Sequence, residues 1–265
     1  MNGRPTSSNV RRGPARGDEN AATQPAPGDL LVLIPALNEE ACIEGVLTEL
    51  WDVLPGCDVV VVDDCSRDAT AAVAAAAGAR VLKLPHHLGL GGAVQAGYKL
   101  AFELGYDIVI RIDADGQHNP RDIRLIYDTL KETGVEMVIG SRFLPGSSGY
   151  QSTFARLLVI RFFRLMLHPI LDHPVRDPTS GFVGVNRAAL ELFSRVFPLE
   201  YPEIEALVVL QRCVFRFREV PVAMRPRAAG TSTITWWKST YYILHVLLGV
   251  FVNILKYDVR RLGGK

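Results

Sequence analysis

Residues 109–118, VIRIDADGQH, hold the side chains of this chain best suited to chemistry. A β-branched apolar run ends in two carboxylates two residues apart, Asp113 and Asp115, followed by Gln117 and His118. In an extended segment, residues i and i+2 point to the same side. Asp113, Asp115 and Gln117 can therefore offer three hard oxygen groups to one point. Such a set suits Mg²⁺ or Mn²⁺, which takes oxygen ligands and bridges to a substrate diphosphate. An acid pair after a buried strand is also a common solvated turn. The surrounding elements decide between the two.

Those elements alternate. LLVLIPAL (30–37) reads as a buried strand that stops at Pro35. Residues 38–54 read as a helix with Ile43, Val46, Leu47, Leu50 and Leu54 on one face, Asn38 as its cap and Glu39 and Glu40 in its first turn. A second buried strand over 57–66 ends in acids, and an alanine-rich helix over 68–78 is closed by Gly78. A strand at 80–85, a glycine-rich turn and helix at 89–105, a strand at 107–113, a helix at 120–134 and a strand at 135–143 follow. This order predicts an α/β fold with a mostly parallel sheet and flanking helices. The polar groups fall after the strands, at Asn38/Glu39, Asp63/Asp64, Asp113/Asp115 and Ser141/Arg142. Ligands in open α/β sheets bind beyond the carboxyl ends of the strands. Four strand ends that aim polar groups at one edge favour one shared site over four unrelated turns.

A dinucleotide-binding oxidoreductase competes for this fold through GLGGAVQAG (89–97). The signal is weak, because the run follows the third strand and the next strand ends in an acid pair rather than a lone ribose ligand. The glycines can serve either of two ends. They can let an anion approach the helix N-terminus, or they can let helix and sheet pack closely.

The remaining composition sets bounds. A chain of 265 residues fits one large domain, or one domain with appendages. A net charge of +1 gives no global field for nucleic acid. Cys42, Cys57, Cys65 and Cys213 show no zinc spacing and read as free thiols of a reducing compartment. Residues 1–28 are polar and rich in Pro, Gly, Ala and Arg, lack the apolar stretch of a secretory signal, and are expected to form a disordered tail.

Two segments point to a membrane surface. In FARLLVIRFFRLMLHPIL (154–171), Arg156, Arg161 and Arg164 fall within roughly 140° on a helical wheel, opposite an apolar face. The alternative is a core-packed helix with surface arginines. ITWWKSTYYILHVLLGVFVNIL (234–255) is too short in its fully apolar part for a confident span, which needs roughly 20 residues. Its Trp and Tyr residues suit an interfacial belt, and Lys256, Arg260, Arg261 and Lys265 suit anionic headgroups. A core helix or a homodimer interface is the alternative.

The ordered motifs LIPALNEE, VVDDCSRDAT, GLGGAVQAG, DADGQH, GSRF, DPTSGF and RPRAAGTS resemble the family 2 glycosyltransferases with a GT-A fold, across about residues 30–235. Within them the chain is similar to the dolichol- or polyprenyl-phosphate sugar synthases. The resemblance implies a Rossmann-like GT-A domain over 29–232, and the apolar and basic residues that follow are expected to make 233–265 a C-terminal membrane-associating segment. It implies that Pro35, Leu37, Glu39, Asp63, Asp113, Ala114 and Arg227 bind the nucleotide sugar, and that Asp113, Asp115 and Gln117 hold Mg²⁺ or Mn²⁺. Arg142 and Arg156 match arginines that hold an acceptor phosphate, and Asp177 and Ser180 match residues near the reacting sugar. Leu37 departs from the pattern, standing where many relatives carry an aromatic residue.

The implied reaction moves one sugar, with inversion, from a nucleotide sugar to a polyprenyl phosphate at the cytoplasmic face of the membrane. An anionic phosphate needs positioning more than deprotonation. A hydroxyl acceptor on a growing glycan would need a general base, for which Asp177 is the candidate. A catalytically silent nucleotide-binding partner of another membrane protein is the reading of a different class.

Overall fold

The computed structural model describes residues 29–149 and 154–225, with side chains from 157 onward in the second stretch. The expected tail over 1–28 and the expected membrane segment over 233–265 lie outside the described residues.

Seven strands form one sheet in the order β3-β2-β1-β4-β6-β5-β7. Four of them carry the predicted alternation: β1 (Leu30–Ala36), β2 (Asp58–Asp63), β3 (Arg80–Lys83) and β4 (Ile108–Arg111). They pair in parallel, with helices α1 (Ile43–Val53), α2 (Thr70–Ala76) and α3 (Gly89–Glu103) as the crossovers. Helix α4 (Asp122–Thr133) leads to β5 (Met137–Ser141), and α5 (Phe154–Leu167) follows. The sequence reading did not assign β6 (Val183–Asn186), α6 (Arg187–Arg195), α7 (Pro202–Arg212) or β7 (Phe217–Pro221). Strand β6 runs antiparallel between β4 and β5, and β7 adds in parallel to β5. The sheet is thus mostly parallel, as expected.

Apolar side chains on both sheet faces build the core. One cluster gathers Leu31, Leu33, Val60 and Val62 with α3, α6 and α7 residues, and the other gathers Val32, Ile34, Val59 and Val61 with α1 and α4 residues. Burial on both faces explains why β1 and β2 read as continuous apolar runs rather than as alternations.

Helix α1 begins later than the sequence suggests. Asn38 sits at φ 55°, outside the helical region, and does not cap α1. Its Oδ1 instead accepts the Arg67 N–H, and its own N–H donates to Ser66 Oγ. Glu40 likewise accepts the Ala69 N–H at the start of α2. The polar residues after β1 therefore stitch that loop to the loop after β2. In α6 the cap is local, with the Asn186 side chain accepting from the Ala188 and Ala189 N–H groups.

The glycines of α3 serve packing. A Cβ on Gly97 would lie 2.3 Å from Leu33 Cδ1, and one on Gly91 would lie 2.4 Å from the backbone oxygens of Pro198 and Leu199. These positions let α3 lie close to β1 and to the segment that leads into α7. A backbone neighbour cannot swing aside as a rotamer can. Gly91→Ala should therefore destabilise the protein by about 1–3 kcal/mol through overpacking. Gly45, on α1 with nothing within 4 Å of its virtual Cβ, should gain about 0.5–1 kcal/mol as Gly45→Ala from helix propensity. Urea denaturation of the two variants should shift the midpoint in opposite directions.

Candidate active site

The carboxyl ends of β1, β2 and β4 open onto a cleft of about 260 Å³, lined by Pro35, Leu37, Glu39, Asp64, His87, Leu90, Asp113, Ala114 and Asp115 among others. A deeper lobe of about 180 Å³ adjoins it, lined by Arg111, Gln117, His118, Arg142, Thr179, Ser180 and Glu203 among others. Leu90, Asp113 and Asp115 line both lobes. The acid pair thus stands at the junction of two compartments. A larger cavity, about 450 Å³, lies at the opposite edge around Trp51, Asp58, Arg80 and Tyr106 and holds none of the motif residues.

The turn after β4 is held by its own side chains. Asp115 Oδ1 accepts the Gln117 N–H at 3.0 Å. His118 Nδ1 accepts the Asp113 N–H at 3.0 Å, and its ring stacks on Phe182 with centroids 4.9 Å apart. Burial holds the His118 pKa below its ordinary value, against the pull of Asp113 and Asp115. A neutral ring is what the accepting Nδ1 requires. His118 therefore braces the turn while its other edge faces the deeper lobe. Gln117 donates its side-chain N–H to the Arg225 carbonyl at 3.2 Å and joins the segment after β7 to the acid loop.

Beneath Asp113 lies Arg111, whose side chain is 3% exposed. One guanidinium nitrogen donates to Glu203 Oε1 of α7 at 2.5 Å and lies 3.7 Å from Asp113 Oδ1. Burial alone would lower the Arg111 pKa, but Glu203 and Asp113 outweigh it and hold it above its ordinary value. Sequence reasoning missed both residues. A cation inside an apolar strand next to the acid pair was the available signal for Arg111. Glu203 had no local signal, because its place in the cleft depends on how α7 packs.

The structure separates several residues that the sequence grouped. Asp63 is buried, accepts the Ser66 N–H and does not line the cleft; the neighbouring Asp64 does. Asp64 Oδ2 lies 2.8 Å from His87 Nδ1, and its Oδ1 accepts the Leu88 N–H. His87 thereby joins the cleft wall. Arg142 and Asp177 form a buried bidentate pair: Nε and one terminal nitrogen of Arg142 each donate to a separate Asp177 oxygen at 2.6 Å. Asp177 also accepts the Arg142 backbone N–H, and Arg142 donates to Thr179 Oγ1. Glu219 of β7 fixes the same loop by accepting the Arg176 and Asp177 N–H groups, and burial raises its pKa. Asp177 is 0% exposed, so its place is that of a buried counter-ion to Arg142. Ser180 Oγ donates to the Gly140 carbonyl and lines the deeper lobe. Arg156 falls in the first turn of α5, its side chain outside the described residues, and Arg227 also lies outside them.

The carboxylates fit the hard cation inferred from their spacing. Among the described residues, no group of three or more His, Cys, Asp or Glu side chains forms a closed metal site. Two carboxylates at an open junction suit an ion that keeps water and shares its remaining positions with phosphate oxygens. They do not suit a structural metal, which needs a complete protein cage.

A comparison with protein families matches residues 31–193 to the family described as Glycosyl transferase family 2. The chain belongs to that family, and it is a glycosyltransferase. The undecaprenyl-phosphate mannosyltransferase of Micrococcus luteus is 33% identical over 218 residues, covering 78% of this chain and 87% of that protein. The polyprenol monophosphomannose synthase of Mycolicibacterium smegmatis is 29% identical over 181 residues, covering 66% and 68%. Among solved structures, glucosyl-3-phosphoglycerate synthase from Mycobacterium tuberculosis with Mg²⁺ and uridine diphosphate superposes with a TM-score of 0.65. It is 26% identical, covering 85% of this chain and 79% of that one. The same enzyme has been crystallised with Mn²⁺, uridine diphosphate and phosphoglyceric acid. The GT-A fold is thereby established for this chain.

The Arg142–Asp177 pair yields a stability prediction. Removing one partner leaves an uncompensated buried charge, which costs about 3–5 kcal/mol. Asp177→Ala should lower the thermal midpoint sharply. Replacing both residues, as Arg142→Met with Asp177→Leu, should recover a large part of that loss in calorimetry.

Proposed function

We propose that residues 29–232 form the catalytic unit and transfer a sugar from a nucleotide sugar to a polyprenyl phosphate at the cytoplasmic face of a membrane. The observation that carries this reading is the placement of Asp113 and Asp115 between two lobes. The outer lobe, with Pro35, Leu37, Glu39, Asp64 and Ala114, suits a nucleoside. The deeper lobe, with Thr179, Ser180 and Glu203, offers the hydrogen-bonding groups a sugar needs. The diphosphate then lies at the junction. Asp113 and Asp115, with Gln117 beside them, would hold a divalent cation there, which would neutralise charge on the nucleoside diphosphate. Arg227 of RPRAAGTS is the candidate for a further cation on that leaving group.

The fate of Asp177 bears on the acceptor. With both oxygens held by Arg142, its carboxylate is poorly placed to take a proton from a hydroxyl. An acceptor phosphate is already anionic and needs no such base. Its oxygen attacks the anomeric carbon from the face opposite the leaving diphosphate, which gives inversion. Arg156 is the candidate to orient it, because a charge-assisted hydrogen bond fixes a phosphate oxygen. The names of the two mannosyl-transferring relatives support a lipid phosphate acceptor. One observation favours a second reading, transfer to a hydroxyl: Glu203 reaches the deeper lobe and could act there as a base.

The membrane surface enters through α5. Leu157, Leu158, Phe162 and Leu165 are exposed, Leu165 at 76%, and Arg161 and Arg164 are exposed beside them. Such a face suits a headgroup layer. Among the described residues no helix is long and apolar enough to cross a membrane. A homodimer or a small membrane-protein partner is the alternative use of this face and of the segment after 232.

The reading is tested by a donor screen with purified full-length protein, Mn²⁺ and undecaprenyl phosphate, with the product identified by mass. One nucleotide sugar should give a glycosyl-phospholipid, and Asp115→Ala or excess EDTA should abolish its formation while circular dichroism stays unchanged. Efficient transfer to a phosphate-free oligosaccharide instead would establish the hydroxyl reading. Turnover that persists in Asp115→Ala would refute the metal role.

Vesicles test the surface. Full-length protein should co-sediment with vesicles containing anionic lipid, and salt should weaken the binding. The double substitution Leu158→Ser with Leu165→Ser should reduce it several-fold without changing nucleotide affinity. Unchanged co-sedimentation would exclude α5 from the contact.

A further inference from the structure

Arg111 takes no direct part in the proposed reaction, yet its surroundings are unusual. It is a cation enclosed in the end of a central strand, 3% exposed, between Asp113 at 3.7 Å and Glu203 at 2.5 Å. Its Nε is fully buried and has no hydrogen-bond partner. Such an orphan costs free energy, so the side chain is held there by what its terminal nitrogens do. A second, independent feature closes the arrangement from the other side. A Cβ on Gly181 would lie 2.6 Å from an Arg111 terminal nitrogen and 2.9 Å from Asp113 Oδ2. With glycine here the backbone of this loop covers the Arg111–Asp113 contact, and a side chain would push both groups out of their places.

We propose that Arg111 is a positioning residue that, under the lid formed by Gly181, fixes the Asp113 carboxylate for the cation and locks α7 to it through Glu203. The inference rests on the proposed cation site at Asp113 and Asp115. An unsupported Asp113 on a turn could rotate among several orientations. A guanidinium from below and a glycine backbone from the side leave it few. One terminal nitrogen serves two carboxylates, Asp113 in the turn after β4 and Glu203 on α7. A lysine would keep the charge but, being shorter, would not set its nitrogen between the two. The effect to expect is that of removing a group that orients a metal ligand, about 10–100-fold in metal affinity.

The test reads Mn²⁺ binding by electron paramagnetic resonance, using full-length protein with UDP or GDP present. Thermal midpoints serve as the folding control. Arg111→Lys should weaken Mn²⁺ binding about 10–100-fold while the protein stays folded. Gly181→Ala should weaken it in the same direction with Arg111 intact, since the added methyl meets both groups. The double variant Arg111→Met with Glu203→Gln removes the cation together with its buried counter-charge. It should fold and still show the Mn²⁺ defect. Wild-type affinity in the double variant would mean that Arg111 only neutralises Glu203, and would overturn the inference. So would wild-type affinity in both Arg111→Lys and Gly181→Ala. If the wild-type protein binds no Mn²⁺ with either nucleotide, the proposed cation site falls and the inference falls with it. Binding in the wild type that the variants share defeats the inference alone.

Discussion

Buried charge must be compensated, and the cleft floor is built around that constraint. Two arginines, Arg111 and Arg142, lie almost wholly out of solvent at the carboxyl ends of β4 and β5, on either side of β6 in one sheet. Each meets a carboxylate from a distant part of the chain, Glu203 for the first and Asp177 for the second, and Arg111 also lies 3.7 Å from its near neighbour Asp113. Neither distant pairing forms locally. Arg111 must await the docking of α7, and Arg142 must await the loop that Glu219 holds from β7. The charges therefore tie the late elements, α7 and β7, to the early α/β half. A floor assembled this way is rigid where phosphate chemistry needs fixed geometry, since a solvated loop would have to be ordered at each binding event.

The glycines work on the other side of the same problem. Close packing of α3 at Gly91 and Gly97 sets its first turn, with Leu90, in the wall of the cleft that the acid pair lines. Gly181 lets a loop cover Arg111 and Asp113. Here the missing side chains set distances between elements. The two uses left open for the glycine run by sequence reasoning thus resolve toward packing, and that packing shapes the cleft wall.

Much of this was legible in the sequence because parallel strands leave strong local traces. Apolar runs of β-branched residues, crossover helices with one apolar stripe and polar groups at each carboxyl end mark β1 to β5 and locate the cleft edge. Pro35, Leu37, Glu39, Asp113, Ala114 and Asp115 meet there because they occupy equivalent strand ends. What was not legible depends on distant partners. Asn38 resembles a helix cap, but its side chain is taken by the loop after β2. Asp63 and Asp64 are chemically identical neighbours, both buried, yet one is taken by the Ser66 N–H of its own loop and the other lines the cleft. The antiparallel β6 is four residues long and carries a glycine, too little for a periodic signal. Asp177 and Arg142 look like separate functional residues until the fold sets them 2.6 Å apart.

That last pairing carries an argument about catalysis. An enzyme that transfers to a hydroxyl keeps a carboxylate within reach of the acceptor, with at least one oxygen ready to take a proton. Here the conspicuous carboxylate of the DPTSGF loop is spent on structure. Glu203, which lines the deeper lobe, has one oxygen on Arg111 and stands there as the partner of a buried arginine. An acceptor that arrives as an anion asks for none of this. Such an acceptor asks for cations at the mouth of the cleft and a surface from which a lipid phosphate can enter. On the proposed reading, exposed Arg161 and Arg164 of α5, beside exposed Leu157, Leu158 and Leu165, have the composition that a membrane contact calls for. The Asp177 carboxylate held on both oxygens by Arg142 and this basic, apolar helix face each accord with the proposed lipid-phosphate acceptor.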